Sequence, residues 1–284
     1  MAILLDAIHT SRAERLERAM KPNVDAYKNW FFGRLNNADR LVNAPGATGN
    51  DAHDAEIILC CALAAAASDL WGGQQIDKQR FVELLVLYGK TSHPSPNYVS
   101  VPTLGAYLQR GDFTNNRLLF RDIPRIEIER WVTILSDHFR KSQASMISGH
   151  LKWSDVDVVD EIVVDWFSEA STTTPSNTVR KIVRSYSYAH IMYKDLRCGL
   201  VHEHAIKGRL ARPGIIIDPE PYYTNWYDLK GQQEIRLCLP YEYTRNCVQR
   251  TFSGIYERWG ELTNDDTSKI SAKRPSEWWL DGRL

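Results

Sequence analysis

The sequence predicts a mainly α-helical protein, a helical bundle with a helical insertion and a small β-hairpin before its C-terminal helix. Apolar residues recur at helical spacing through most of the chain, and they alternate with polar residues only within 215–239. The 284 residues are 43% hydrophobic, which is enough for a substantial core. We expect one domain over 1–284, with an insertion at about 90–175 and a tail at 263–284.

Three helices are predicted in the first third of the chain. The second is apolar almost all round from Ile57 to Ala67, and its small side chains permit close packing on several sides, so we expect it at the centre of the bundle. A Gly-, Asn- and Pro-rich loop at Asn36–Asn50 precedes it. The predicted helices are Asn23–Leu35, Asp51–Trp71 with Asp51 as its cap, and Lys78–Tyr88.

The middle of the chain is less regular, and we interpret it as an insertion. A loop dense in Thr, Ser and Pro, Ser171–Asn177, follows it. The predicted helices of this region are Thr103–Gln109, Ile126–Lys141 and Ser154–Phe167.

A long amphipathic helix is predicted to begin at Thr178. Its apolar positions alternate at spacings of four and three over about five turns, which is typical of a core-facing stripe. Those positions are Ile182, Tyr186, Ala189, Tyr193, Leu196 and Leu200.

Alternation of apolar and polar residues after the long helix predicts strands, with a turn at Lys230-Gly231. A last helix is predicted at Tyr243–Leu262. The predicted strands are Ile215–Ile217, Tyr222–Tyr227 and Glu234–Leu239.

Charge balance, apolar run length and cysteine pattern indicate which partners and which cellular compartment to expect. Lysine plus arginine and aspartate plus glutamate number 35 each, so binding to a polyanion would need a local patch. Residues 1–20 do not resemble a signal peptide, and the longest apolar run is too short to span a bilayer. The five cysteines form no CxxC pair, which favours reduced thiols. We therefore expect a soluble, cytoplasmic protein.

The end of the long helix carries the residues best suited to chemistry. Arg197 is a permanently charged fork that suits a phosphate, and His202 is a near-neutral proton-transfer group five residues later. Together these two side chains are a minimal set for cleaving RNA without a metal. The spacing alone is weak evidence, because arginine also precedes histidine at Arg184 and His190.

The segment LRCGLVHE, Leu196–Glu203, resembles the motif helix of the HEPN superfamily of helical-bundle proteins, many of which are ribonucleases. Ile58–Gly72 and Asp77–Leu85 are similar to the second and third helices of one bacterial branch. The resemblance implies a bundle that dimerises along its motif helices and cleaves RNA without metal or other cofactor. It implies that Arg197 holds the scissile phosphate while His202 moves the 2′-hydroxyl proton, and that the role is that of a toxin or antiviral effector, with an antitoxin or defence-system partner.

Helix geometry bears on the dimer independently. Five residues at about 100° each place Arg197 and His202 about 140° apart around a regular helix. Their side chains would then not meet unless the helix bends or ends at Gly199, or unless a second copy of the chain supplies the partner group.

Several neighbours are candidate assisting residues. His204 lies seven residues after Arg197 and shares its helix face, so it rivals His202. Cys198 stands where the family commonly has Asn, Asp or His, and a thiol is a weaker hydrogen-bonding group. Asp195 and Glu203 complete the candidate set, although Glu203 also suits a surface ion pair with Arg197. No metal-ligand spacing such as HExxH occurs, so no metal is predicted.

RNA contacts are predicted at Lys194 and at a basic patch just past the motif, formed by Lys207, Arg209 and Arg212. A solvated loop would give the same pattern. The chain has no Walker loop, GxGxxG or GxSxG motif, so nucleotide hydrolysis, dinucleotide chemistry and α/β-hydrolase activity have no support. The alternatives to a ribonuclease are a non-catalytic HEPN module that binds RNA, nucleotide or protein, and a structural subunit of a larger complex.

Overall fold

The protein is mainly α-helical, as predicted, and the residues that the structure describes include two small antiparallel sheets. The computed structural model describes residues 24–71, 75–90, 93–111, 113, 117–143, 151–203, 208–211, 219–227, 233–265 and 278–281. In chain order the elements are α1 (Val24–Val42), α2 (Gly49–Leu70), α3 (Asp77–Tyr88), β1 (Tyr98–Val99), α4 (Val101–Arg110), α5 (Arg117–Phe120), α6 (Arg125–Gln143), β2 (Leu151–Lys152), α7 (Trp153–Val156), β3 (Val158–Val159), α8 (Asp160–Ala170), α9 (Ser176–Arg184), α10 (Tyr188–Ile191), a π-helical segment (Met192–Arg197), α11 (Cys198–Glu203), β4 (Tyr222–Tyr227), β5 (Gln233–Cys238), α12 (Tyr241–Asp265) and a 3₁₀ turn (Trp279–Asp281).

The chain divides into two units, 1–91 with 244–276 and 92–243 with 277–284. The first holds α1 to α3 and, from Thr244 on, α12. The second holds the remaining elements, including the motif helix. The two upstream segments that resemble HEPN helices therefore lie in a different unit from LRCGLVHE, and one domain over the whole chain stays a prediction.

In the first unit, α2 packs against both α1 and α3. Its residues Leu59, Leu63 and Ala67 are fully buried, because this helix is apolar on most of its circumference. The helix begins earlier than predicted: Thr48 is the N-cap, and Asp51 accepts from the Thr48 backbone N–H at 2.6 Å in a capping box.

The predicted loop at 36–50 is partly wrong, since α1 continues to Val42. Ala38 is buried on this added stretch, and Asp39 makes a two-pronged ion pair with Arg245 of α12 at 2.7 and 2.9 Å. These contacts with a distant part of the chain stabilise two further turns of helix.

In the second unit, apolar side chains of α4, α6, α8 and α9 share one core. At its centre the Trp131 and Phe167 rings stack with centroids 4.7 Å apart, and the Trp131 indole donates to the Phe167 carbonyl at 3.1 Å. The region predicted as an insertion at 90–175 thus shares a substantial core with α9, which lies outside its predicted bounds.

The helix predicted at 154–167 is interrupted, because α7 ends at Val156, the chain is extended at Asp157–Val159, and α8 begins at Asp160. There β3 pairs with β1 in a two-stranded antiparallel sheet, Val158 opposite Val99. The hairpin predicted before the last helix is confirmed, since β4 and β5 pair antiparallel over six residues each. The two-residue strand β2 adds a third strand beside β4. Lys230-Gly231 and Ile215–Ile217 lie outside the described residues.

A threonine loop, Thr172–Thr174, lies between α8 and α9. Its three backbone N–H groups and three hydroxyls donate to the buried carboxylate of Glu127 on α6, at 2.6 to 3.3 Å. Burial raises the pKa of Glu127, but the hydrogen bonds from Thr174, Thr173 and Thr172 outweigh it and hold the pKa below its ordinary value. The loop is therefore fixed to α6 by an ionised carboxylate.

The end of the chain also packs into the second unit. Arg184 of α9 is buried and pairs with Asp160 at 2.6 Å. The Trp279 carbonyl accepts from the same guanidinium at 2.7 Å, and the Trp279 ring covers it at 4.5 Å from the centroid. Part of the tail predicted at 263–284 is therefore a core element.

Candidate functional site

Arg197 and His202 meet within one chain. The Arg197 Nη1 lies 3.0 Å from the His202 Nε2. A guanidinium can only donate, so Nε2 is the acceptor in this contact and the proton of the neutral ring lies on Nδ1. His202 is exposed and Arg197 is half-buried, so both can be approached from solvent.

This contact corrects the helix-geometry argument. The helix α11 continues through Gly199 without a break, so the two residues do leave the axis in different directions. The arginine side chain is long enough to reach across that angle to the imidazole. The geometry therefore does not require a second copy of the chain to bring an arginine and a histidine together.

The helix predicted from Thr178 is not continuous. It ends at Arg184 and restarts at Tyr188, with Ser187 as the N-cap that accepts from the His190 N–H. At this break the backbone pairs with the residue that follows β1, because the Ser100 N–H donates to the Tyr186 carbonyl at 3.0 Å. The predicted stripe is nevertheless buried, apart from Tyr193, which is half-buried.

The segment that ends in Arg197 is a π-helix, Met192–Arg197. A π-helical turn holds one more residue than an α-helical turn, and such turns occur frequently at functional sites. The sequence pattern gave no sign of it, because the apolar spacing across this segment fits an α-helix as well.

Arg197 has further partners at its own end of the segment. Its guanidinium lies 5.6 Å from the centre of the Tyr193 ring, and Nη1 donates weakly to the Cys198 sulfur at 3.7 Å. Tyr193 was expected to be only a packing residue. Its position four residues before Arg197 could have indicated the cation–π contact.

Asp195 faces the interior, where Arg209 binds it. Asp195 is buried, and its Oδ2 lies 2.6 Å from the Arg209 Nε and 2.5 Å from Nη2. Burial raises the pKa of Asp195, and Arg209 offsets part of that rise. Asp195 therefore does not lie among the solvent-facing groups of the site.

Of the predicted basic patch, Arg209 is the member that lies within the described residues. Arg209 points inward to Asp195 and so presents no free charge to a phosphate backbone. Lys207, Arg212 and the rival histidine His204 lie outside the described residues, as does the side chain of Glu203. Lys194 is exposed and remains the described lysine nearest in sequence to Arg197.

His190 precedes Arg197 by seven residues, a spacing that would place both on one face of a regular helix. It is instead buried, with its Nδ1 3.5 Å from the Arg209 Nη2. Within the described ranges, no group of three or more His, Cys, Asp or Glu side chains lies where it could hold a metal ion. None of the helices in those ranges is long and apolar enough to cross a membrane.

All five cysteines fall within the described part of the chain, and none of them forms a disulfide bond there. Comparison with protein-family models, with curated proteins and with solved structures finds no match to this chain.

Proposed function

We propose that the protein is an RNA endonuclease of the HEPN type that needs no metal, with Arg197 and His202 as its catalytic residues. The observation that carries the proposal is the 3.0 Å contact between the Arg197 Nη1 and the His202 Nε2 at a solvent-accessible helix end. A phosphate-binding group and a proton-transfer group are thus adjacent before any substrate binds.

The contact suggests how the site changes on binding RNA. A phosphodiester offers two anionic oxygens that match the guanidinium fork better than a neutral imidazole does. When Arg197 turns to the phosphate, the His202 Nε2 loses its donor and its lone pair becomes available. The Nδ1–H tautomer fixed by the contact is therefore the one that leaves Nε2 able to act as a base.

The reaction follows from these roles. His202 Nε2 takes the proton of the ribose 2′-hydroxyl, and the 2′-oxygen attacks phosphorus. Arg197 stabilises the negative charge that develops on the phosphoryl oxygens. The bond to the 5′-oxygen then breaks and that oxygen takes a proton, which leaves a 2′,3′-cyclic phosphate and a 5′-hydroxyl.

One turnover needs a base on one side of the phosphorus and an acid on the other. A single imidazole cannot occupy both positions at once, and this supports a homodimer in which a second copy of the chain supplies the acid. The proposed setting is the cytoplasm, where thiols stay reduced. The proposed role is that of a toxin or antiviral effector.

The test is cleavage of a labelled RNA by the purified protein in excess EDTA, with the 2′,3′-cyclic phosphate as the diagnostic product. His202→Ala should lower the rate by roughly 10² to 10⁴-fold, the usual contribution of a general base. Arg197→Ala should lower it on the order of 100-fold, as for the loss of a charge-stabilising donor. Arg125→Ala removes a highly exposed arginine, and His93→Gln an exposed histidine, as matched controls.

Equal cleavage by the wild type and by all variants would refute the assignment, because neither Arg197 nor His202 would then contribute to the reaction. Absence of cleavage in every sample, with RNA binding that weakens in Arg197→Ala, would support the non-catalytic HEPN module instead.

A further inference from the structure

The π-helical segment is joined to the chain that follows the motif by a buried ion pair. Asp195 Oδ2 accepts from the Arg209 Nε at 2.6 Å and lies 2.5 Å from Nη2. Their side chains are 7% and 17% exposed. A carboxylate removed from water in this way is costly unless its partner stays in place, so this pair strongly favours one arrangement of the segment.

The backbone around Arg209 is anchored to the three-stranded sheet. Leu237 of β5 donates to the Arg209 carbonyl, and Ala211 donates to the Leu237 carbonyl, both at 2.9 Å. The position of the guanidinium is thus set by a sheet strand, not by the motif helix itself.

The same guanidinium also contacts the break between α9 and α10. Arg209 Nη1 donates to the Ser185 carbonyl at 2.5 Å, and the guanidinium lies 5.0 Å from the centre of the Tyr186 ring. One side chain therefore connects the start of the motif helix, its π-helical segment and the sheet.

Gly208 makes the close approach feasible. Its φ is +61°, in the left-handed region that favours glycine, and a Cβ added there would lie 2.5 Å from the Asp195 Oδ1. Any larger residue would push on the carboxylate.

We infer that Asp195 and Arg209 are positioning residues for the site, and that their ion pair fixes the rotation of the π-helical segment so that Arg197 reaches His202. Asp195 and Arg197 are two residues apart, one facing the interior and the other the solvent-accessible site. Holding the carboxylate therefore sets the direction in which Arg197 leaves the helix. The inference rests on the proposed function for its catalytic meaning, but not for its structural test.

The structural test reads the His202 ring directly. In ¹⁵N-histidine-labelled protein, at a pH where the ring is neutral, the contact with Arg197 should hold His202 in the Nδ1–H tautomer. His202→Gln identifies the signal. In Arg209→Lys and Asp195→Asn the ring should shift towards the Nε2–H tautomer that an uncontacted imidazole prefers, because Arg197 no longer points at it.

A glycine pair separates this effect from backbone strain. Gly208→Ala and Gly111→Ala both place alanine at a left-handed φ, +61° and +65°, but a Cβ at Gly111 would meet nothing within 4 Å. Gly208→Ala should change the His202 tautomer and Gly111→Ala should not. Arg236→Lys, which alters a half-buried pair with Glu234 on β5, controls for the loss of a guanidinium.

In the cleavage assay, the same three variants at Asp195, Gly208 and Arg209 should lower kcat by about 10- to 100-fold, the usual effect of a misplacement near 1 Å, with KM changed far less. Unchanged tautomer signals in folded Arg209→Lys and Asp195→Asn would overturn the inference. A wild-type protein that cleaves no RNA, yet shows the tautomer shift in the variants, would refute the proposed function and leave the positioning role standing.

Discussion

Stability of the second unit should fall as pH rises from about 4 to about 7, because of one buried carboxyl. Asp157, just before β3, is 5% exposed. Its Oδ2 accepts from the hydroxyls of Tyr188 and Tyr223, the latter at 2.5 Å, and its Oδ1 accepts from the Val101 N–H at 2.9 Å. Burial raises the pKa of Asp157 from 3.8 to about 7, and these three hydrogen bonds offset only part of the effect.

The sign follows from the two protonation states. Between pH 4 and 7 the unfolded chain has lost this proton while the folded protein keeps it, so raising the pH favours unfolding. Each pH unit in that window costs about 1.4 kcal/mol, so the interval from 3.8 to about 7 corresponds to about 4 kcal/mol. The stabilisation is complete below pH 4 and has been lost above pH 7.

Asp157→Asn isolates the effect. The amide keeps the shape of the carboxyl, its Nδ2 can donate to the two phenol oxygens, and Tyr223 can turn its proton to Ser100, whose hydroxyl lies 2.8 Å away. Because the variant cannot ionise, the wild-type free energy of unfolding minus that of the variant should fall by about 4 kcal/mol from pH 4 to pH 7.

The measurement is urea denaturation followed by circular dichroism at half-unit pH intervals, with Asp165→Asn as the control for removing an exposed carboxyl. Other titrating groups cancel in the difference between the two proteins. A difference that stays flat within about 0.5 kcal/mol across the window would show that Asp157 is ionised throughout, and the burial argument would be wrong.

Three further outcomes can be checked with the same protein. Glu127→Gln should lower the free energy of unfolding, measured in urea at pH 7, by about 2 to 3 kcal/mol, because hydrogen bonds from the threonine loop to a charged group are lost. This cost should shrink as the pH falls below the ordinary glutamate pKa. An unchanged urea midpoint would contradict the six-bond geometry. Trp279→Ala should cost about 3 to 5 kcal/mol by thermal denaturation, because the ring is buried against Arg184; a loss below about 1 kcal/mol would mean that the chain end does not pack there. Cys61 is exposed and should react with Ellman's reagent in the native protein. Burial raises the pKa of Cys238 to about 11, so this thiol should react only after unfolding. Early labelling of Cys238 in a peptide map would disprove this order.

Several elements were predictable because their signals are local. The apolar circumference of α2, the alternation of β4 and β5 and the one-faced pattern of α12 each fit within a window of consecutive residues. The candidate pair Arg197 and His202 was singled out from the residue types, from the helix around them and from the resemblance of LRCGLVHE to a family motif.

Other features were missed because their partners are distant in the chain. The stretch 154–167 has helical spacing, but β3 pairs with β1 about sixty residues earlier. The helix from Thr178 has a continuous stripe, yet it breaks where Tyr186 accepts from Ser100. In both places backbone pairing with another segment replaces hydrogen bonds within the helix.

Sequence by itself determined the helical class, the hairpin, the buried centre of α2 and most of the buried stripe of the helix from Thr178. It also singled out the pair of side chains suited to phosphate and proton transfer. Tertiary structure decided how that pair is presented. The π-helical segment, the inward turn of Arg209 and the 3.0 Å contact of Arg197 with His202 depend on burial and on the length of side chains, neither of which residue spacing records. On a regular helix the Arg197 and His202 side chains leave the axis about 140° apart, and the arginine side chain is long and flexible enough to reach the imidazole.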